Sequence, residues 1–106
     1  MRRGDVYWIT NEGSTGCEMA GKRPALIVSN DMCNQHSQTF QMVPLTTKRK
    51  KPLPTHVSMF LNGCLNTVLC EHICDVSTER LCEFMGRLDE KNMQAVDRAL
   101  RVQLGL

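Results

Sequence analysis

The tripeptide Lys22-Arg23-Pro24 sets a permanent cation directly before a proline, and an apolar run (Ala25, Leu26, Ile27, Val28) follows at once. Arginine carries five N–H donors in a rigid fork and stays charged, which suits a two-point grip on a phosphate. The plainer reading is a solvated charge at a strand end. Thr46 and Thr47 close the segment "VPLTTK", just before four consecutive cations, Lys48–Lys51. A hydroxyl there can donate to a phosphate oxygen, or it can simply belong to a β-branched residue filling a strand end. Lys48 and the cations after it read either as a solvated loop or as a patch that follows a phosphate backbone. His56, in "LPTHV", adds a ring that can stack or exchange protons, although a lone strand histidine is more often structural. Cys70, His72 and Cys74 alternate around Glu71 and offer zinc-type donors. Structural zinc sites usually draw on paired knuckles, however, and the sequence holds neither a second knuckle nor a C-x-x-C. No metal is therefore expected.

The elements that must position these groups are short. Asp5–Thr10 is rich in β-formers and reads as a strand. Residues 11–21 hold three glycines and read as a loop of functional length. Arg23–Ser29 is a buried strand, "NDMCNQHS" turns the chain, and Thr39–Thr46 is a third strand with Pro44 near its end. The stretch "TKRKKPLP" is a loop stiffened by two prolines. Thr55–Leu61 alternates and forms a fourth strand, "NGCLN" is a turn, and Thr67–Ser77 supplies one strand or two broken near Glu71–Ile73. Ser77 or Thr78 caps a short helical turn, with Phe84–Leu88 extended after it. Asp89 is a helix N-cap, since Met93, Val96, Leu100 and Leu104 follow at helical spacing. The expected fold is mainly β, a small SH3-like barrel of five to seven strands with a C-terminal helix.

A chain of 106 residues is enough for one domain, taken as residues 1–106, and apolar content of 42% with 23% charged residues is that of a globular protein. No apolar run reaches the ~20 residues that span a membrane, and the start "MRRGDVYWIT" reads as a strand, so a cytoplasmic location is expected. Its six cysteines are then expected to be reduced thiols. The net charge of +2 is uneven: residues 1–56 carry eight Lys/Arg against four Asp/Glu, and residues 57–106 carry five against seven. The basic half could face a phosphate backbone, though such a swing is common in small domains.

In order and spacing, "RRGDVYW", "GCEMAGKRPALIVSND", "VPLTTK", "LPTHV", "VLCEHI", "STERL" and a final "VDRAL" span nearly the whole chain. Together they resemble the MazF/PemK toxins, the ribonuclease halves of bacterial type II toxin–antitoxin pairs. The resemblance implies a homodimer that cuts single-stranded RNA without a metal or other cofactor and is held in check by a cognate antitoxin. It implies Arg23 and Thr46 as the catalytic pair. It associates Glu18, His56, Glu71 and His72 with RNA binding, and Asn30 and Lys48 are expected to join them. Two positions depart from the common pattern: Met19 follows Glu18 where a glutamine is frequent, and His72 stands where a glutamine often follows the later acidic residue. Both fall where base sequence would be read. Two rivals remain at this level: a non-catalytic toxin of the same barrel that inhibits a protein such as DNA gyrase, and a plain SH3-like binding module. The second is weakened by an aromatic content of only 5%.

Overall fold

The computed structural model describes residues 1–11 and 21–106. Among these the elements run β1 (Asp5–Thr10), β2 (Lys22–Ile27), α1 (Asp31–His36), β3 (Thr39–Thr46), β4 (His56–Leu61), β5 (Cys64–Leu69), β6 (Cys74–Ser77), a 3₁₀ turn (Thr78–Arg80), β7 (Leu81–Arg87) and α2 (Glu90–Leu104). One antiparallel sheet runs β4–β5–β3–β2–β1–β7, with β6 added along β3.

The sheet is covered on both faces around β2. On one face Val6, Leu26 and Val43 lie in register across β1, β2 and β3 and pack under Val96 and Ala99 of α2. On the other, Ala25 and Ile27 join Ile9, Phe40, Met42 and Val76 in a second cluster. A strand buried on both faces reads as a continuous apolar run rather than an alternating one, which accounts for "ALIV". Helix α2 is closed at both ends as its sequence dictates. Asp89 accepts from the Asn92 N–H at 2.8 Å, and Gly105 adopts the left-handed conformation at φ 71°.

The sheet curls until its edges meet. Asn62 and Gly63, at φ 52° and 81°, form a two-residue hairpin loop between Leu61 and Cys64, which pair. The Asn62 side-chain amide then donates to the Met85 carbonyl of β7 at 2.8 Å. A Cβ at Gly86 would come within 2.9 Å of Leu61 Cδ1, so β7 approaches β4 to a distance that only glycine allows without a shift. The result is the small, curled β-barrel with a C-terminal helix that the strand pattern predicts.

Some boundaries differ from the sequence reading. "NDMCNQHS" is not a plain turn: Asn30 accepts from the Cys33 N–H at 2.9 Å and caps α1. Only Asn62 and Gly63 of "NGCLN" turn the chain; Cys64–Asn66 already pair with β4, and from there to Ser77 the chain forms two strands, with β3 pairing β5 through Leu45 and Thr46 and β6 through residues 39–42. Strand β7 begins at Leu81, three residues before the expected Phe84. Cys33, Cys64, Cys70 and Cys74 are free thiols, whereas Cys82 is disulfide-bonded, against the expectation of reduced cysteines throughout.

Candidate active site

The site is built where two paired strands part. Strand β2 pairs with β3 through Ile27↔Met42, Leu26↔Val43 and Ala25↔Pro44, and the ladder ends there. Beyond that point β2 keeps only β1, while β3 keeps only β5, which pairs its other edge through Leu45↔Val68 and Thr46↔Thr67. Pro24 and Pro44 flank the parting point, and neither has an N–H to donate to a ladder. Counting on by two residues from Ala25↔Pro44 sets Arg23 opposite Thr46. Side chains alternate along a strand, so both lie on the face away from the α2 core, the face shared by Ala25 and Pro44.

Arg23 is exposed, and among the described residues no hydrogen bond or ion pair engages its guanidinium. None of its five donors is taken by a described residue. The Thr46 hydroxyl is fixed: its Oγ1 accepts from the Lys48 backbone N–H at 3.1 Å. That contact occupies a lone pair on the oxygen and leaves the hydroxyl proton to be donated elsewhere. Lys48–Lys51 follow as an exposed loop.

Thr46 also opens a row that sequence reasoning missed. Thr46 pairs Thr67, and Thr67 pairs Ser58, so three hydroxyl residues cross β3, β5 and β4 in register. The signal for this row was the alternation of β5, but residues 67–77 could be read as one strand or two, which left its register open.

His56, Glu71 and Thr55 form a second cluster. The His56 Nε2 lies 2.8 Å from Glu71 Oε2, and Thr55 Oγ1 donates to Glu71 Oε1 at 3.1 Å. The His56 side chain is only 9% exposed, and its Nδ1 is buried without a partner. Burial pushes the Glu71 carboxyl up, but hydrogen bonds from His56, from backbone and from Thr55 outweigh it, so the group lies below its ordinary value. His72 is exposed and stands 4.0 Å from Glu71. Cys70 points into the core, where burial, and then the Glu71 charge, push its thiol up to about 11. It is therefore protonated at neutral pH and is neither a nucleophile nor a ready metal ligand. The alternating Cys70, His72 and Cys74 do not converge. Among the described residues no group of three or more His, Cys, Asp or Glu side chains is placed to hold a metal ion.

The register thus sets Arg23 opposite Thr46, with Lys48 bonded back to Thr46, and His56, Glu71 and His72 form a second group at the start of β4, on the far side of β5. Asn30 does not join them. It sits beyond the other end of β2, three residues after Ile27, whereas Arg23 is near the start of that strand. Its side-chain oxygen is engaged in capping α1. Glu18 lies outside the described residues.

Comparison with known proteins places the chain. Residues 2–104 match the family model described as the PemK-like, MazF-like toxin of type II toxin–antitoxin systems. The chain is 33% identical to Endoribonuclease EndoA of Bacillus subtilis (strain 168) over 111 aligned positions, covering 100% of this chain and 96% of that protein. It is 35% identical to Endoribonuclease MazF of Staphylococcus saprophyticus, covering 100% and 92%. A solved mycobacterial endoribonuclease in complex with its cognate antitoxin superposes with a TM-score of 0.85 at 31% identity, covering 100% of this chain and 96% of that one.

Proposed function

We propose that this chain, which belongs to the PemK-like, MazF-like toxin family of type II toxin–antitoxin systems, is an endoribonuclease that cuts single-stranded RNA with the substrate's own 2′-OH as nucleophile. The observation that carries the mechanism is the register that sets Arg23, unpaired among the described residues, opposite a hydroxyl whose oxygen is already fixed by backbone.

RNA needs no protein nucleophile. The 2′-oxygen attacks the adjacent phosphorus, a new O–P bond forms, and the bond from phosphorus to O5′ breaks. The products are a 2′,3′-cyclic phosphate and a free 5′-OH. One proton leaves the 2′-OH and one arrives on O5′. The protein's task is to hold the strand in line and to stabilise charge on the non-bridging oxygens. Arg23 supplies a two-point grip on those oxygens, and Thr46 donates its hydroxyl proton to the same group. A guanidinium keeps its proton through the working range and is a poor base, so Arg23 acts as a charge stabiliser. His56 is an unsuitable shuttle, because its Nε2 is held by Glu71 and its ring is buried. It instead fixes the Glu71 carboxylate at the edge of the site, and the exposed His72 is the histidine left to reach a bound strand.

The wider setting follows from the same surface. Lys48–Lys51 with Arg23 give an RNA backbone a basic track, and an acidic segment of a cognate antitoxin would compete for it. The working form is a homodimer. Among the described residues no helix is long and apolar enough to cross a membrane, and the substrate puts the protein in the cytoplasm.

The test is cleavage of a long single-stranded RNA in excess EDTA, with the new ends mapped. Cyclic-phosphate and 5′-OH ends are expected. Arg23→Ala and Thr46→Ala should each lower the rate by about 10²–10³-fold, the cost of removing one transition-state donor, while folding normally. Cutting abolished by EDTA, or unimpaired in Arg23→Ala, would overturn the assignment.

A further inference from the structure

We propose that Phe60 and Leu65 form a stacking platform for one base of the bound RNA, beside the hydroxyl row of the active site. The proposal rests on the endoribonuclease reading and extends it to substrate positioning.

Phe60 and Leu65 pair directly across β4 and β5. They lie two residues along from Ser58 and Thr67, on the same outer face, since Val57, Met59, Leu61, Asn66 and Val68 alternate inward. Thr46, Thr67 and Ser58 form the neighbouring row, so Leu65 and Phe60 stand next to it on β5 and β4. With strands about 4.8 Å apart and a rise of about 3.3 Å per residue, Phe60 stands about 12 Å from Thr46. That is the range of a nucleotide neighbouring the cut phosphate.

Both side chains are open to water, Phe60 at 72% and Leu65 at 55%. An aromatic exposed on the outer face of an edge strand has a cost, because such edges invite unwanted pairing. A base has the right size and chemistry to cover it. Single-strand binders combine a cationic track with an aromatic face, and any base presents a π-surface. A second copy of the chain is the less fitting occupant. A fully covered aromatic contributes about 150–250 Å², so this pair falls well short of the roughly 800 Å² per partner in a stable protein interface.

The experiment uses the full chain and two probes, a labelled single-stranded RNA and the same sequence as DNA, which lacks the 2′-OH and cannot be cut. Phe60→Ser and Leu65→Ser are compared with Phe60→Trp. Phe60→Ser should weaken binding to the uncut strand by about 5- to 150-fold, the worth of one stacked base. In the RNA assay the loss should fall on KM rather than kcat, and Phe60→Trp should restore affinity. Unchanged affinity in Phe60→Ser overturns the platform. So does a loss of affinity accompanied by dissociation in sedimentation without nucleic acid, which would make the patch an interface between copies. A parent protein that binds the DNA strand but cuts no RNA would refute the endoribonuclease reading, and the binding arm would still decide the platform.

Discussion

Removing the Glu71 carboxylate should destabilise the fold, and the loss should vanish in acid. The carboxylate holds two contacts, one to His56 Nε2 at 2.8 Å and one to Thr55 Oγ1 at 3.1 Å. Hydrogen bonds to a charged group contribute about 1.5–3 kcal/mol each at most, and an orphaned buried donor costs about 1–3 kcal/mol. Glu71→Ala removes both contacts. It also strands a histidine whose other ring nitrogen is already without a partner. Glu71 is itself 24% exposed, so water recovers part of the loss. About 2–4 kcal/mol is the expected cost at neutral pH, on the order of 10 °C in Tm for a chain of this size. The direction of the pH effect follows from the lowered Glu71 carboxyl. A carboxyl that titrates lower when folded contributes fully above the ordinary carboxylate range, and the contribution is lost as pH falls through the folded value. Glu71→Gln, which keeps the shape without the charge, should therefore be less stable than the parent at neutral pH. It should draw towards the parent as pH falls below the ordinary carboxylate range and through the folded value. Urea unfolding of parent, Glu71→Gln and Glu71→Ala at neutral and acid pH and one protein concentration measures this. A Glu71→Gln deficit that is equally large in acid would refute the charge argument. A Glu71→Ala cost below about 0.5 kcal/mol, the size of an ordinary surface change, would refute the cluster's structural role.

Two further outcomes follow from the basic loop and the helix cap. Replacing Lys48–Lys51 by glutamine should weaken binding to all single strands alike and flatten the plot of log K against log salt, by about 0.7 for each lost phosphate contact. Titrations of an uncut strand between low and moderate salt will show it, and an unchanged slope would return the loop to the role of a solvated turn. Asp89→Ala removes the side chain that accepts from the Asn92 N–H and should cost about 1 kcal/mol in urea unfolding, with RNA cleavage by the folded enzyme unaffected.

Much of the fold was legible because local rules and tertiary packing agree here. Asp89 and the spacing of Met93, Val96, Leu100 and Leu104 dictate the same helix, and the helix forms from that cap. The alternation of Val57, Met59 and Leu61 placed β4 without ambiguity. The misreadings fall where one residue type serves two purposes. Asn30 and Ser37 suit a turn and a helix boundary equally well, so the short α1 between them was hidden. The segment after Thr67 is apolar on both sides of Glu71, and periodicity alone cannot separate one bent strand from two. The break is set by distant partners instead, since β3 offers β5 its end and β6 its beginning.

The site was legible in its residue types, and its grouping was legible only through the family resemblance. Arg23 and Thr46 are 23 positions apart in the chain, and nothing local joins them. What joins them is the antiparallel register of β2 and β3, which brings two strand ends together, and the two prolines that mark where the ladder stops. On its other edge β3 pairs β6 through residues 39–42 and β5 through Leu45 and Thr46, and this second register carries Thr67 and Ser58 into line with Thr46. One strand, β3, therefore sets Thr46 opposite Arg23 on one edge and opposite the row of hydroxyls on the other. Arg23 stays rigid through this because the backbone after it is anchored in a core that covers both faces. His56 shows the reverse case. Its motif suggested contact with RNA, but Glu71, 15 residues later, claims its ring, and that pairing depends on the chain returning through β5 to the start of β4. A histidine's role is set by what its second nitrogen meets, and no local sequence feature specifies that.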